Sequence, residues 1–181
     1  MIHILFTRHG ETSWNKERKI QGHIDIPLNE TGINQAIELH DKLLNTKIDL
    51  IFCSPLQRSK DTAKLARGDR NIEIIEEPLL IEEFYGDLEG APRNNNPVYD
   101  KQRNSFFKRY PNGESYLDVY HRVASFFEKL KKEYDGKVET VLIVAHGGMS
   151  RVVNAYFHDM ENEDFVPYGI KNCEVVEYDL D

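Results

Sequence analysis

The sequence predicts an α/β fold: a three-layer α/β/α sandwich with a mostly parallel central sheet, helices on both faces and a short lid-like insertion. Two observations carry this expectation. Short apolar runs of strand length alternate along the chain with stretches of helical spacing, the pattern of repeated βαβ units. Each of the first four apolar runs is followed by a polar cluster, and open parallel sheets bind ligands beyond the carboxyl ends of their strands.

Ile2 to Thr7 reads as a short buried strand. Asn29-Glu30-Thr31 then offers helix caps, and Ile33, Ala36, Ile37, Leu43 and Leu44 recur at helical spacing. Ile48 to Cys53 is a second strand. Ser54-Pro55, a polar cap and a proline at the first helical position, predicts a helix from there to about Arg67. Ile72 to Ile75 is a third strand. Ser115 opens an amphipathic helix through Val119, Val123, Phe126, Phe127 and Leu130 that closes near Asp135-Gly136. Val138 to Ala145 is the fourth and most apolar strand, Gly147 to Phe157 a helix, and Val175 to Tyr178 a last short strand. Ala91 to Gly113 fits neither period. It is polar, carries Pro92, Asn94-Asn95-Asn96, Pro97 and Pro111, and reads as a lid-like excursion, helical around Val98 to Tyr110.

At 181 residues the chain is expected to form a single domain, residues 1–181, large enough for a real core. Its net charge of −8 disfavours nucleic acid and anionic membrane as partners but leaves a small anionic substrate open. Cys53 and Cys173 lie in apolar runs and read as buried free thiols. With no leader-like segment and no run of membrane-spanning length, the default expectation is a cytoplasmic protein.

The clusters beyond the strands are Arg8-His9-Gly10; "SPLQRSKDTA", with Arg58 in the first turn of its helix; "LLIEEFYGDLEG", with Glu82 and Glu83; and His146-Gly147-Gly148 at a helix start. Singly, each has an ordinary explanation: a hydrogen-bonded boundary histidine, a solvated arginine, a surface glutamate, a tight glycine turn. Their joint placement at one end of the sheet is what points to chemistry, and the chemistry it suits is phosphoryl transfer. Arg8 and Arg58 can fork onto phosphate oxygens. Gly147 permits close backbone approach, and a helix N-terminus favours an anion. A histidine beside two fixed positive charges stays neutral, as a nucleophile must. A carboxylate beside a bound phosphate can supply the proton that the leaving oxygen needs.

"RHGETSWN", "GHIDIPLNETG", "SPLQRSKDTA", "LIEEFYGDLEG", "PNGES" and "VLIVAHGG" together resemble branch 1 of the histidine phosphatase superfamily, the phosphoglycerate mutase-like branch that includes many small bacterial phosphatases. The resemblance spans nearly the whole chain. It implies that His9 becomes a phosphohistidine while Arg8, Arg58 and His146 hold the phosphoryl group. It also implies that Asn15 contacts phosphate and that Gln21, Gly22 and Tyr85 belong to the substrate site. The family glutamate stands four positions before the glycine of the "YG" pair, which selects Glu82 as general acid and base. Neighbouring side chains on extended backbone diverge, so one of Glu82 and Glu83 should face the site. The family uses no metal or other cofactor for this chemistry, and none of the seven histidines forms a short metal-ligand pattern.

A small phosphorylated metabolite is the expected partner. The "PNGES" and His146-Gly147-Gly148 forms and the absence of paired adjacent arginines in the excursion favour a phosphatase. Tyr85-Gly86 and Leu88 echo a cofactor-dependent phosphoglycerate mutase, the alternative. A protein phosphohistidine phosphatase, and a binding protein on an inactive phosphatase fold, are further alternatives; all five core residues being present argues against the last. These motifs encode neither the substrate nor the oligomeric state.

Overall fold

The computed structural model describes residues 1–181. The elements run β1 (Ile2–Arg8), α1 (Ser13–Lys16), α2 (Glu30–Leu43), β2 (Leu50–Cys53), α3 (Gln57–Arg67), β3 (Glu73–Glu76), α4 (Pro97–Arg103), α5 (Tyr116–Tyr134), β4 (Thr140–Ala145), α6 (Gly147–Phe157), α7 (Asn162–Phe165) and β5 (Val175–Leu180). The sheet order is β3-β2-β4-β1-β5. The first four strands in this order are parallel, and β5 lies antiparallel against β1 at the edge.

The two-residue period of the strands builds the layers. Ile2, Ile4 and Phe6 of β1 and Val141, Ile143 and Ala145 of β4 pack with α5 and α6; Leu5, Leu142 and Val144 pack on the opposite face with α2 and α3. Val119, Val123, Phe126, Phe127 and Leu130 of α5 are all buried, as their spacing predicts. Ser115 caps α5 in a reciprocal box with Asp118. Both cysteines are buried and free.

Several expectations need correction. Ile33 and Ile37 stay on the outer side of α2, 42% and 45% exposed, and the buried stripe is Ala36, Leu39 and Leu43. Helix α3 starts at Gln57, not at Pro55. Ser54 is taken up by the turn: its N–H donates to Ser59 Oγ, and that hydroxyl donates to the Val144 carbonyl. Helix in the excursion is confined to α4, whose first turn Asn96 caps. Beyond Asn104 the chain is irregular, and the Gln102 side chain donates to the Lys108 carbonyl.

The excursion is nevertheless well held. Its first residues pair with the segment after α1, Ile20 N–H donating to the Ala91 carbonyl (2.8 Å) and Arg93 N–H to the Arg18 carbonyl (2.9 Å). Tyr99 and Tyr110 join Tyr85 and Ile20 in a small separate core. Gly86, at φ +55°, makes this possible, because a Cβ there would collide with the Pro111 carbonyl oxygen. Gly86→Ala should therefore lower stability by about 2 kcal/mol or more, combining a left-handed penalty with a backbone clash. A denaturant midpoint within error of the parent would contradict this.

The strand register sets up the site. Arg8 pairs with Ala145, and Cys53 with Val144, so β1, β4 and β2 end nearly level. The residues that follow them emerge at one edge of the sheet.

Candidate active site

His9 leaves the end of β1 under restraint from both sides. Its N–H donates to the Ala145 carbonyl at 3.0 Å, and Asn172 Nδ2 donates to its carbonyl at 2.7 Å. The next residue, Gly10, donates to Thr62 Oγ1 of α3, and a Cβ there would collide with Gly32. His9 Nδ1 lies 2.7 Å from the Gly10 carbonyl oxygen. That oxygen can only accept, so Nδ1 carries the proton and Nε2 keeps its lone pair. Burial, followed by the charges of Arg58 and Arg8, holds the imidazole well below the usual histidine range. Both effects favour the neutral ring.

His146 is fully buried, its ring centroid 5.2 Å from that of His9. Burial and then the Arg58 charge also hold it far down, and neither of its ring nitrogens has a protein partner. Arg58, likewise fully buried, donates to the Gly22 carbonyl at 2.6 Å and the Ile24 carbonyl at 3.1 Å, with Asp25 at 3.7 Å. Arg8 donates to the Ile170 carbonyl at 3.3 Å, and its Nε is buried without a partner. Desolvation, and then repulsion from Arg93, pushes its guanidinium down to about 10. Buried donors left over on Arg8, Arg58 and His146 fit an anion held among them.

Glu82 is 3% exposed and accepts three backbone N–H bonds: from Gly148 at 2.9 Å, Met149 at 3.1 Å and Glu83 at 2.9 Å. The acceptor at the N-terminus of α6 is thus the Glu82 side chain, where the sequence suggested the substrate phosphate. Gly147 serves Arg8 instead, since a Cβ there would lie 3.1 Å from Arg8 Nε. Glu83 is also buried, not a surface charge; burial, then the Glu82 charge, pushes its carboxyl up to about 8. As the alternation predicts, only Glu82 lines the cavity.

That cavity has a volume of about 180 Å³. Of the sequence candidates, Arg8, His9, Asn15, Gln21, Glu82, Tyr85 and Gly147 line it. Asn15 Nδ2 donates to Gln21 Oε1 at 3.1 Å, which leaves the buried Gln21 Nε2 free to donate. Arg58 and His146 are not in the lining; they back it through charge and ring contact with His9. Gly22 does not line the cavity either. Its role is its carbonyl, which anchors Arg58. Sequence reasoning did not assign four further walls: Arg93, Tyr99, Arg151 and the 167–170 segment. Arg151 was findable, four residues after Gly147 on the same helix face. The 167–170 segment is placed by the antiparallel docking of β5, which leaves no local signal. A larger depression, about 790 Å³ and lined in part by Glu38, Lys42 and Cys173, contains none of the catalytic candidates. No group of three or more His, Cys, Asp or Glu side chains is arranged to hold a metal ion.

Fold and site together define an α/β protein with an arginine- and histidine-rich anion pocket at the carboxyl end of its parallel strands. The family profile of the histidine phosphatase superfamily (branch 1) matches residues 4–181. The chain is 37% identical to PhoE, an uncharacterized phosphatase of Bacillus subtilis, over 81% of this chain and 72% of that protein. It is 31% identical to a phosphoglycerate mutase of Schizosaccharomyces pombe, over 98% of this chain and 90% of the mutase. The solved structure of Bacillus stearothermophilus YhfR superposes with a TM-score of 0.90 at 31% identity, covering 100% of this chain and 92% of YhfR. The chain belongs to the histidine phosphatase superfamily, branch 1. With these relatives, it is an enzyme of phosphoric monoester chemistry. No helix is long and apolar enough to cross a membrane.

Proposed function

We propose that this enzyme is a metal-independent phosphatase that hydrolyses a small phosphomonoester through a phosphohistidine on His9. The carrying observation is the Nδ1–H···O=C bond to Gly10, which leaves a neutral Nε2 lone pair in a pocket of buried arginines. In the first step Nε2 attacks phosphorus and the P–O ester bond breaks; the leaving oxygen takes its proton from the Glu82 carboxyl. The Gly10 carbonyl steadies the positive charge that the ring gains. In the second step the Glu82 carboxylate takes a proton from water, the water oxygen attacks phosphorus, and the P–N bond breaks. This returns neutral His9, protonated Glu82 and inorganic phosphate. Arg8 stabilises the charge on the equatorial oxygens from the cavity wall, and Arg58 and His146 do so from behind it.

The cavity of about 180 Å³, bordered by Arg93 and Tyr99 of the 91–113 segment, suits a small ester better than a side chain presented on a protein surface. The single seven-residue helix of that segment supports hydrolysis over mutase chemistry, which must shield the phosphoenzyme from water. A phosphate-release screen over phosphorylated metabolites tests the reading, with 2-phosphoglycerate formation from 3-phosphoglycerate measured alongside. Mutase product without free phosphate would reverse it. Activity should also survive a strong chelator undiminished; loss restored by a divalent cation would refute the metal-free route.

A further inference from the structure

An apolar face lies away from the catalytic cavity, where α5, α6 and the irregular chain after α4 meet. It holds a depression of about 460 Å³, lined mainly by apolar side chains that include Tyr116, Leu117, Tyr120, Met160 and Phe165. No residue that lines the catalytic cavity lines this depression.

Two adjacent phenylalanines enter its wall in opposite ways. Phe106 is turned inward: its ring centroid lies 5.1 Å from that of Phe165, and its carbonyl accepts the Leu117 N–H at 3.3 Å. Phe107 is held outward by this anchored neighbour and is 80% exposed. Leu117 and Tyr120 of α5 are 54% and 41% exposed beside it. An exposed aromatic on fixed backbone, next to an apolar hollow, marks a surface built to be covered.

The charges around this face indicate what covers it. Asp159 stands on the rim, and Glu161, Glu163 and Asp164 follow it in the chain; all four are exposed. Lys108 and Arg109 follow Phe107 and, with Lys101, line a different depression. Phe107 thus stands between an acidic and a basic region. None of the four acids, and neither Lys101 nor Lys108, forms an ion pair with a side chain of the protein. The net charge of −8 opposes contact between two copies wherever like charges meet. This face carries both signs. A two-fold axis through Phe107 would lay the basic region of each copy on the acidic region of the other. The same rotation would bring each Phe107 to the other copy's hollow. Knob and hollow, base and acid, lie on one face, as an isologous contact requires.

We propose that this chain forms a two-fold dimer in which Phe107 of each copy fills the depression beside α5 and α6 of the other, flanked by pairing of Lys108 with the acids of residues 159–164.

Sedimentation equilibrium of the full chain tests it. A reversible monomer–dimer equilibrium is expected, with a dissociation constant on the order of micromolar. Phe107→Ser should raise that constant by about 30-fold or more, the effect of an interface anchor. Its side chain is exposed in the single chain, so the circular dichroism spectrum should match the parent's. Lys108→Glu should raise the constant by about fivefold or more, and adding Asp159→Lys and Glu161→Lys should recover most of that loss. A folding defect cannot produce such a recovery. A parent chain that stays monomeric well above micromolar concentration would overturn the dimer and leave a foreign aromatic and basic segment as the occupant. A dimer undiminished in Phe107→Ser would overturn it too, placing the contact on another surface such as the free edge of β5. Loss in Lys108→Glu without recovery would overturn the proposed two-fold orientation.

Discussion

His9→Ala should lower turnover by about 10⁴-fold or more and abolish covalent labelling by a radiolabelled phosphoester at the same time. On the proposed mechanism the two losses are tied, because one lone pair would be responsible for both. Nδ1 is committed to the Gly10 carbonyl, so Nε2 alone can accept the phosphoryl group. The remaining cage of Arg8, Arg58 and His146 would still bind phosphate, so the variant should retain affinity for substrate while losing chemistry. Labelling that persists in the variant would remove His9 as nucleophile. His146 would be the next candidate, since its ring lies 5.2 Å away and has no protein partner at either nitrogen.

Glu82→Gln should separate substrates by their leaving groups. An alkyl phosphate expels an alkoxide that must be protonated, so its hydrolysis should slow by about 10²- to 10⁴-fold. p-Nitrophenyl phosphate expels a stable phenolate and should lose far less, on the order of tenfold or under. The geometry adds a complication that the experiment can resolve. Both carboxylate oxygens accept from backbone N–H groups, so the new amide nitrogen would face a donor from Gly148, Met149 or Glu83. If that conflict displaces the side chain, both substrates will lose rate equally. Equal losses would therefore mark Glu82 as a positional element at the N-terminus of α6 rather than a proton carrier.

The strands and the polar residues at their ends were legible because both signals are local. Apolar runs of strand length mark β1 and β4, and the abrupt change from Phe6 to Arg8, or from Ala145 to His146, marks where each strand ends. The preference for Glu82 over Glu83 came from the family resemblance, and the structure adds that Glu82, not Glu83, lines the cavity while both are buried. Other features depend on distant partners. Ile33 and Ile37 have helical spacing but lie outside the face that β1 and β4 cover, so periodicity alone misassigned them. The start of α3 moved because Ser59 is bonded to β4, eighty-five residues away. Gly22 was placed in the substrate mouth, yet it acts through a carbonyl, and carbonyls carry no sequence signal. Arg93 stood among five basic residues of the excursion, and only the pairing of residues 91–93 with residues 18–20 turns it toward the cavity.

The hydrogen bond from Asn172 to the His9 carbonyl has a consequence for the order in which the protein matures. It joins residues 163 positions apart, and β1 cannot pair with β4 until residues 140–145 exist. A ribosome delivers His9 first and its enclosure last. The sheet that buries His9 is dominated by non-local pairing, which is slow to close. Until it closes, His9 is an ordinary solvated imidazole, without Arg58 beside it and without a fixed tautomer. The chain therefore has no catalytic half-life as a fragment: activity should appear as a single late event, once the loop ahead of the edge strand has locked onto the first strand.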